Sequence, residues 1–294
     1  MENLEFENHT NNLQKIKDIL ENGISKLKLI LFRHGPKKEA TGEKDILANY
    51  FSTQVKEGLN ALKLNSSDYI HISSSPADRA KKTEDITIEH FEDSKNVKTK
   101  PPNKRLGTFD DLSEHLKSEL NTLIQYQEKL EKKFKIGTHE KDENNREIQD
   151  KLKNKIDSII LKNMFDGTLD NLKQELNIDE TLNLTTEDFS QNLKKHISGY
   201  LKHLSLLKSK TKKPVSLNIT HSYPIMSFLK NYLKFIDGEQ IKSANDMKGE
   251  EFLNKVGGCI NETESITLNY IQKDNKKLIK VSGNNFEGYI DYEK

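Results

Sequence analysis

The chain has 294 residues, 33% hydrophobic and 32% charged, which is room for one large domain or one domain carrying an elaboration. Its 47 basic residues balance 46 acidic ones, so no net field recruits nucleic acid or an anionic membrane, and neither is expected as a partner. No run approaches the roughly 20 apolar residues that cross a bilayer, the amino terminus lacks the order of a secretion signal, and the single cysteine, Cys259, excludes an internal disulfide and a cysteine-built zinc site. The expected compartment is the cytoplasm.

Residues 11–24 carry Leu13, Ile16, Ile19, Leu20 and Ile24 at helical spacing and predict an amphipathic opening helix. Leu27–Phe32, dense in Leu and Ile, predicts a buried strand ending at Arg33-His34-Gly35-Pro36. Helix follows over 46–63, then a short strand over Asp68–Ser73. The next helix is expected to start with Ser75 as cap and Pro76 at its first position, and to run to about His90. From about 110 to 209 the chain is highly charged and helical in period. Leu112, Leu116, Leu120, Leu123 and Leu130 mark one helix, and Ile148, Leu152, Ile156, Ile159 and Ile160 a second that stops near Gly167. Phe189, Leu193, Ile197, Leu201 and Leu204 mark a third. The first two would form a hairpin projecting from the core; a coiled-coil arm is the alternative, which the irregular heptads disfavour.

Beyond Pro214, Val215–Thr220 predicts a third core strand, ending at Thr220-His221-Ser222-Tyr223-Pro224. A helix is expected over Ile225–Phe235, stopping at Asp237-Gly238. Ser265–Ile271 and Leu278–Ser282 predict paired strands with Asp274 and Asn275 in the turn. The alternation predicts an α/β fold of three layers, a mostly parallel sheet flanked by helices, with the charged stretch as a helical insertion.

In open α/β sheets ligands sit outside the carboxyl ends of the strands. Three predicted strands end there in polar residues: Arg33 and His34, then Ser75 and Arg79, then His221. Helix starts beside them favour an anion. Arginine is scarce in this lysine-rich chain, confined to Arg33, Arg79, Arg105 and Arg146, and its planar fork suits an oxyanion. Each residue alone has a bland reading, as a packed histidine or a solvated helix-start arginine. Their coincidence at three strand ends points to a phosphate pocket containing a candidate nucleophile.

These segments resemble a known family. Leu31-Phe32-Arg33-His34-Gly35 is similar to the Arg-His-Gly signature of the histidine phosphatase superfamily, in its phosphoglycerate mutase-like branch. Ser75-Pro76-Ala77-Asp78-Arg79-Ala80-Lys81-Lys82-Thr83 resembles its second motif, and Thr220-His221-Ser222-Tyr223-Pro224 the motif around its second histidine. The resemblance implies a phosphoglycerate mutase-like domain over 27–294, with a helical extension over 1–26 before it and the insertion at about 110–209 forming a cap over the strand ends. It implies hydrolysis of a phosphomonoester through a phosphohistidine on His34, with Arg33, Arg79 and His221 binding the phosphoryl group. No metal and no cofactor are required. The substrate would be a phosphorylated small molecule or phosphoprotein.

Two departures stand out. Pro36, followed by Lys37 and Lys38, replaces the Glu that family members commonly place after Arg-His-Gly; Thr41 is the candidate for a polar residue later in that loop. Arg105-Leu106 is followed by Gly107-Thr108-Phe109-Asp110-Asp111, without the proton-donating Glu that many members carry. Asp110 or Asp111 would replace it, or Asp110 caps the following helix. The gap favours a phosphatase over a phosphoglycerate mutase-like phosphotransferase, and leaves a phosphate-binding pseudo-enzyme as the alternative.

Overall fold

A computed structural model describes residues 2–35, 44–64, 68–91, 96–106, 114–134, 143–179, 182–183, 185–205 and 214–291. In chain order the elements are α1 (Glu2–Asn22), β1 (Ile24–Arg33), α2 (Lys44–Ala61), β2 (Tyr69–Ser74), α3 (Asp78–His90), β3 (Val97–Thr99), α4 (Glu114–Lys133), α5 (Glu143–Asp166), α6 (Leu169–Leu176), α7 (Thr186–Ser205), β4 (Pro214–Thr220), α8 (Ser222–Tyr232), β5 (Lys234–Asp237), β6 (Gln240–Ser243), α9 (Gly249–Val256), β7 (Ser265–Lys273), β8 (Lys276–Ser282) and β9 (Glu287–Asp291). The fold is α/β. One nine-stranded sheet, in the order β3-β2-β4-β1-β7-β8-β9-β5-β6, is flanked by helices.

The site-bearing part of that sheet, β3-β2-β4-β1, is parallel. The other five strands extend it antiparallel, so the sheet as a whole is mixed rather than mostly parallel. Connection length explains the division. Parallel neighbours need a long crossover, supplied by α2, α3 and the helical stretch, whereas the later strands are joined largely by tight turns. Asp274 and Asn275, both at positive φ, make the expected two-residue turn between β7 and β8. Asp237-Gly238, expected to stop a helix, instead opens a hairpin. α8 ends at Tyr232, Lys234–Asp237 pairs with Gln240–Ser243, and Gly238 takes φ +62 in the turn.

Alternation along β1 builds both layers. Ile30 and Phe32 pack with Val55 and Leu59 of α2, Ala80 of α3, and Val215, Leu217 and Ile219 of β4. Leu27, Leu29 and Leu31 face a larger core, shared with Leu123 and Tyr126 of α4, Ile156 and Ile160 of α5, Leu193 of α7 and Leu229 of α8. A strand buried on both faces reads as a nearly continuous apolar run, here Leu27–Phe32 broken only by Lys28. On β4 the α7-facing side is polar yet fully buried, and it is satisfied internally. His196 Nε2 lies 2.8 Å from Asn218 Oδ1, and Thr220 Oγ1 donates to the Leu106 carbonyl at 2.7 Å. α1 packs Ile16 and Ile19 against Ile271, Leu278 and Tyr289. Among the described residues no helix is long and apolar enough to cross a membrane.

Candidate active site

Strand register brings the three motifs together. Arg33 pairs with Thr220 across β1 and β4, and Ser74 with Ile219 across β2 and β4. His34, His221 and Ser75 are the next residues, so they leave the sheet side by side at its carboxyl edge. Two backbone bonds continue the ladder there, His34 N–H to Thr220 O at 3.1 Å and Ser75 N–H to Ile219 O at 2.9 Å. The imidazole rings of His34 and His221 meet edge to face, with centroids 4.7 Å apart.

Both rings are buried, and both are neutral at pH 7. Burial pushes His34 well below the ordinary imidazole range, helped by His221, Arg79 and Arg33; the backbone bond to Gly35 opposes it only in part. Burial likewise lowers His221 to about 3, assisted by the charges of Arg79 and Arg33. The tautomer of His34 follows from its partner. Nδ1 lies 2.6 Å from the Gly35 carbonyl oxygen, which can only accept, so Nδ1 carries the proton and Nε2 keeps its lone pair. His221 Nε2 stands 3.1 Å from Ser75 Oγ.

Ser75 was expected to cap α3. The structure gives that place to Ala77, and neither α3 nor α8 has a side-chain cap bond at its start. The Ser75 hydroxyl accepts from the Ala77 N–H at 3.3 Å and turns its other side to His221. Two helix starts with uncapped N–H groups thus lie beside the paired imidazoles, an arrangement that suits an anion.

The arginines approach from opposite faces of the sheet. Alternation along β1 sends Arg33 to the side of Leu29 and Leu31, where α5 lies. Its guanidinium is held there: Nη1 donates to Asn154 Oδ1 at 3.1 Å and to the Ile260 carbonyl, and Nη2 pairs with Asp157 Oδ2 at 3.3 Å. The Nε–H is buried and has no acceptor among the described residues. Arg79 is on α3, on the other face, half-buried. Burial lowers its pKa, opposed by Glu262, but a guanidinium remains charged. Thr83, which closes the second motif, fixes that helix to the Gly35 turn. Its hydroxyl donates to the Arg79 carbonyl at 2.8 Å and accepts from the Gly35 N–H at 3.1 Å.

All four sequence-nominated residues, Arg33, His34, Arg79 and His221, therefore converge. Thr41, Lys37, Lys38, Asp110 and Asp111 lie outside the described residues. Sequence reasoning missed Asn154, Asp157 and Glu262. Asp157 left one trace, an acid four residues before Leu161 on the apolar face of its helix. Burial raises its carboxyl, while Arg33 and hydrogen bonds from Tyr223 and Gln127 act in the opposite sense. Among the described residues no three His, Cys, Asp or Glu side chains cluster as a metal site would require.

In its three motifs and their places at the strand ends, the chain resembles the histidine phosphatase superfamily, in its phosphoglycerate mutase-like branch. Among solved structures it is similar to a mycobacterial glucosyl-3-phosphoglycerate phosphatase, at 11% identity over 88% of this chain and 98% of that one, with a TM-score of 0.43. A phosphoglycerate mutase from Plasmodium falciparum is 16% identical over 90% of this chain and 99% of that one, with a TM-score of 0.31. The phytase from D. castellii is 13% identical over 90% and 73%, with a TM-score of 0.41. No family model and no curated protein sequence matches the chain.

Proposed function

We propose that the protein is a phosphatase that hydrolyses a phosphomonoester, without a metal, through a phosphohistidine on His34. The observation that carries this reading is the state of His34: neutral, with Nδ1–H committed to Gly35 and its ring against His221, in the field of two guanidinium groups. Its Nε2 lone pair attacks phosphorus in line as the bond to the leaving oxygen breaks. Charge spreading over the equatorial oxygens is met by Arg33, Arg79 and His221. The Arg33 Nε–H supports that role, because a buried donor left without an acceptor costs about 1–3 kcal/mol and a phosphoryl oxygen would satisfy it. Water then attacks the phosphohistidine, the P–N bond breaks, and inorganic phosphate leaves with His34 restored.

The proton for the leaving group is assigned to Asp110 or Asp111, or to no residue where the leaving group is good. The substrate is a phosphorylated small molecule or phosphoprotein, and the site of action the cytoplasm. A second reading, a phosphate-binding pseudo-enzyme, is favoured by the absence of Glu in the segment after Arg105-Leu106. Turnover of a generic phosphomonoester in the presence of a chelator separates the two. His34→Ala should lower the rate at least about a thousandfold, as loss of a nucleophile does. Equal rates in the two proteins would end the claim of catalysis by His34.

A further inference from the structure

The structure contains a carboxylate that the proposed reaction does not use. Asp157 comes from α5, inside the charged helical stretch, and is almost fully buried at the sheet edge. One of its oxygens takes the Arg33 Nη2 at 3.3 Å. The other accepts from the Tyr223 hydroxyl at 3.1 Å, with Gln127 Nε2 of α4 at 3.5 Å. Arg33 immediately precedes His34, and Tyr223 is the second residue after His221. One side chain therefore joins the segments that carry both imidazoles. We propose that Asp157 is a positioning residue, which ties the Arg33 guanidinium to the Tyr223 phenol and so fixes His34, His221 and the unpaired edge of Arg33 relative to one another.

The assignment deepens the phosphatase reading and rests on it. Both N–H groups of Arg33 Nη1 and one of Nη2 are committed to Asn154, Ile260 and Asp157, and the buried Nε–H has no partner among the described residues. A guanidinium pinned on its other side presents that edge to an incoming oxygen without rotamer search, which is the preorganisation that electrostatic catalysis requires. Stability is a poor explanation for the arrangement. Burying a carboxylate against a guanidinium is often no better than an apolar pair of the same volume. Asp157 has no bond to either histidine, so its action passes through Arg33 and Tyr223.

The test uses the full chain with a generic phosphomonoester, and with inorganic phosphate and orthovanadate as inhibitors, the latter able to adopt the five-coordinate shape of the transition state. Asp157→Asn should lower kcat by about tenfold to a hundredfold, the cost of misplacing a group by about 1 Å, with KM within about threefold. Orthovanadate inhibition should weaken by a similar factor, and phosphate inhibition much less. In an Arg33→Gln background the same substitution should cost less than about twofold, because coupled residues are non-additive. Tyr223→Phe, which removes one arm with little change in volume, should give the same split at smaller size and guards against misfolding of the Asp157 variant. An unchanged kcat and vanadate-to-phosphate ratio in folded Asp157→Asn or Tyr223→Phe, or an equal loss with and without Arg33, would overturn the assignment alone. A wild-type protein with neither turnover nor vanadate inhibition would overturn the phosphatase reading, and this assignment with it.

Discussion

His221 is neutral because it is buried between two guanidinium charges, and that fixes how the protein responds to acid. Its pKa falls from 6.5 to about 3 on folding. The unfolded chain takes up a proton at His221 as the pH drops through 6.5, while the folded chain resists until about 3. The contribution of this group to folding is therefore complete above the unfolded value and is lost as the pH falls toward the folded one. The urea midpoint of the wild type should drop between pH 7 and pH 5, and more steeply than that of His221→Gln. Parallel dependence in the two proteins would mean that His221 is not held neutral by its surroundings. Thr83 shows residue-scale design of a different kind: one hydroxyl, accepting and donating at once, clamps the Gly35 turn to the first turn of the helix that carries Arg79.

Between elements, α9 approaches α5 closely enough to exclude a side chain at one position. A Cβ added at Gly249 would lie 2.7 Å from the Lys162 carbonyl oxygen and 3.1 Å from its Cα, both backbone atoms that cannot turn aside. The Gly249 N–H also donates to Asp166 Oδ1 at 2.6 Å, so α5 caps α9 across the contact. Gly249→Ala should destabilise the protein by about 1–3 kcal/mol, the usual cost of overpacking; an unchanged denaturation midpoint would contradict this close contact. Local chemistry explains which elements were legible in the sequence. β1 is a largely apolar run, β2 and β4 alternate apolar with polar residues, and each ends in the polar residues of a motif, so parallel pairing of the three brings both histidines, Arg33 and the helix that carries Arg79 to one edge. Asp157 was hidden because its role depends on which face of a distant helix meets the end of β1. Ser75 was misread because a hydroxyl suits a helix cap as well as it suits an imidazole. Asp-Gly at 237–238 carries the same ambiguity, since it ends helices and turns hairpins alike.

For the whole molecule, the inserted helices are not an appendage to an independent core. The cluster that holds Leu29 and Leu31 of β1 runs without a break through Tyr126, Leu130, Ile156, Ile160 and Leu172 to Leu193 and Leu229. The site is divided in the same way, with both histidines on the parallel sheet edge and the carboxylate partner of Arg33 on α5. Chemical denaturation should accordingly show one cooperative transition, with hydrogen exchange in α4 and α5 protected to the same limit as in β1 and β4. A separate, earlier loss of protection in α4 and α5 would show that the insertion folds on its own and only leans on the site.

Transfer of the phosphoryl group to His34 can be seen by trapping it. The full chain is mixed with a phosphomonoester labelled in its phosphoryl group, denatured at neutral to alkaline pH because phosphohistidine is lost in acid, and digested for peptide mapping. Label should appear on the peptide that contains His34, formed with chelator present and absent from His34→Ala. Steady turnover with no labelled His34 peptide, or label on another residue, would contradict it.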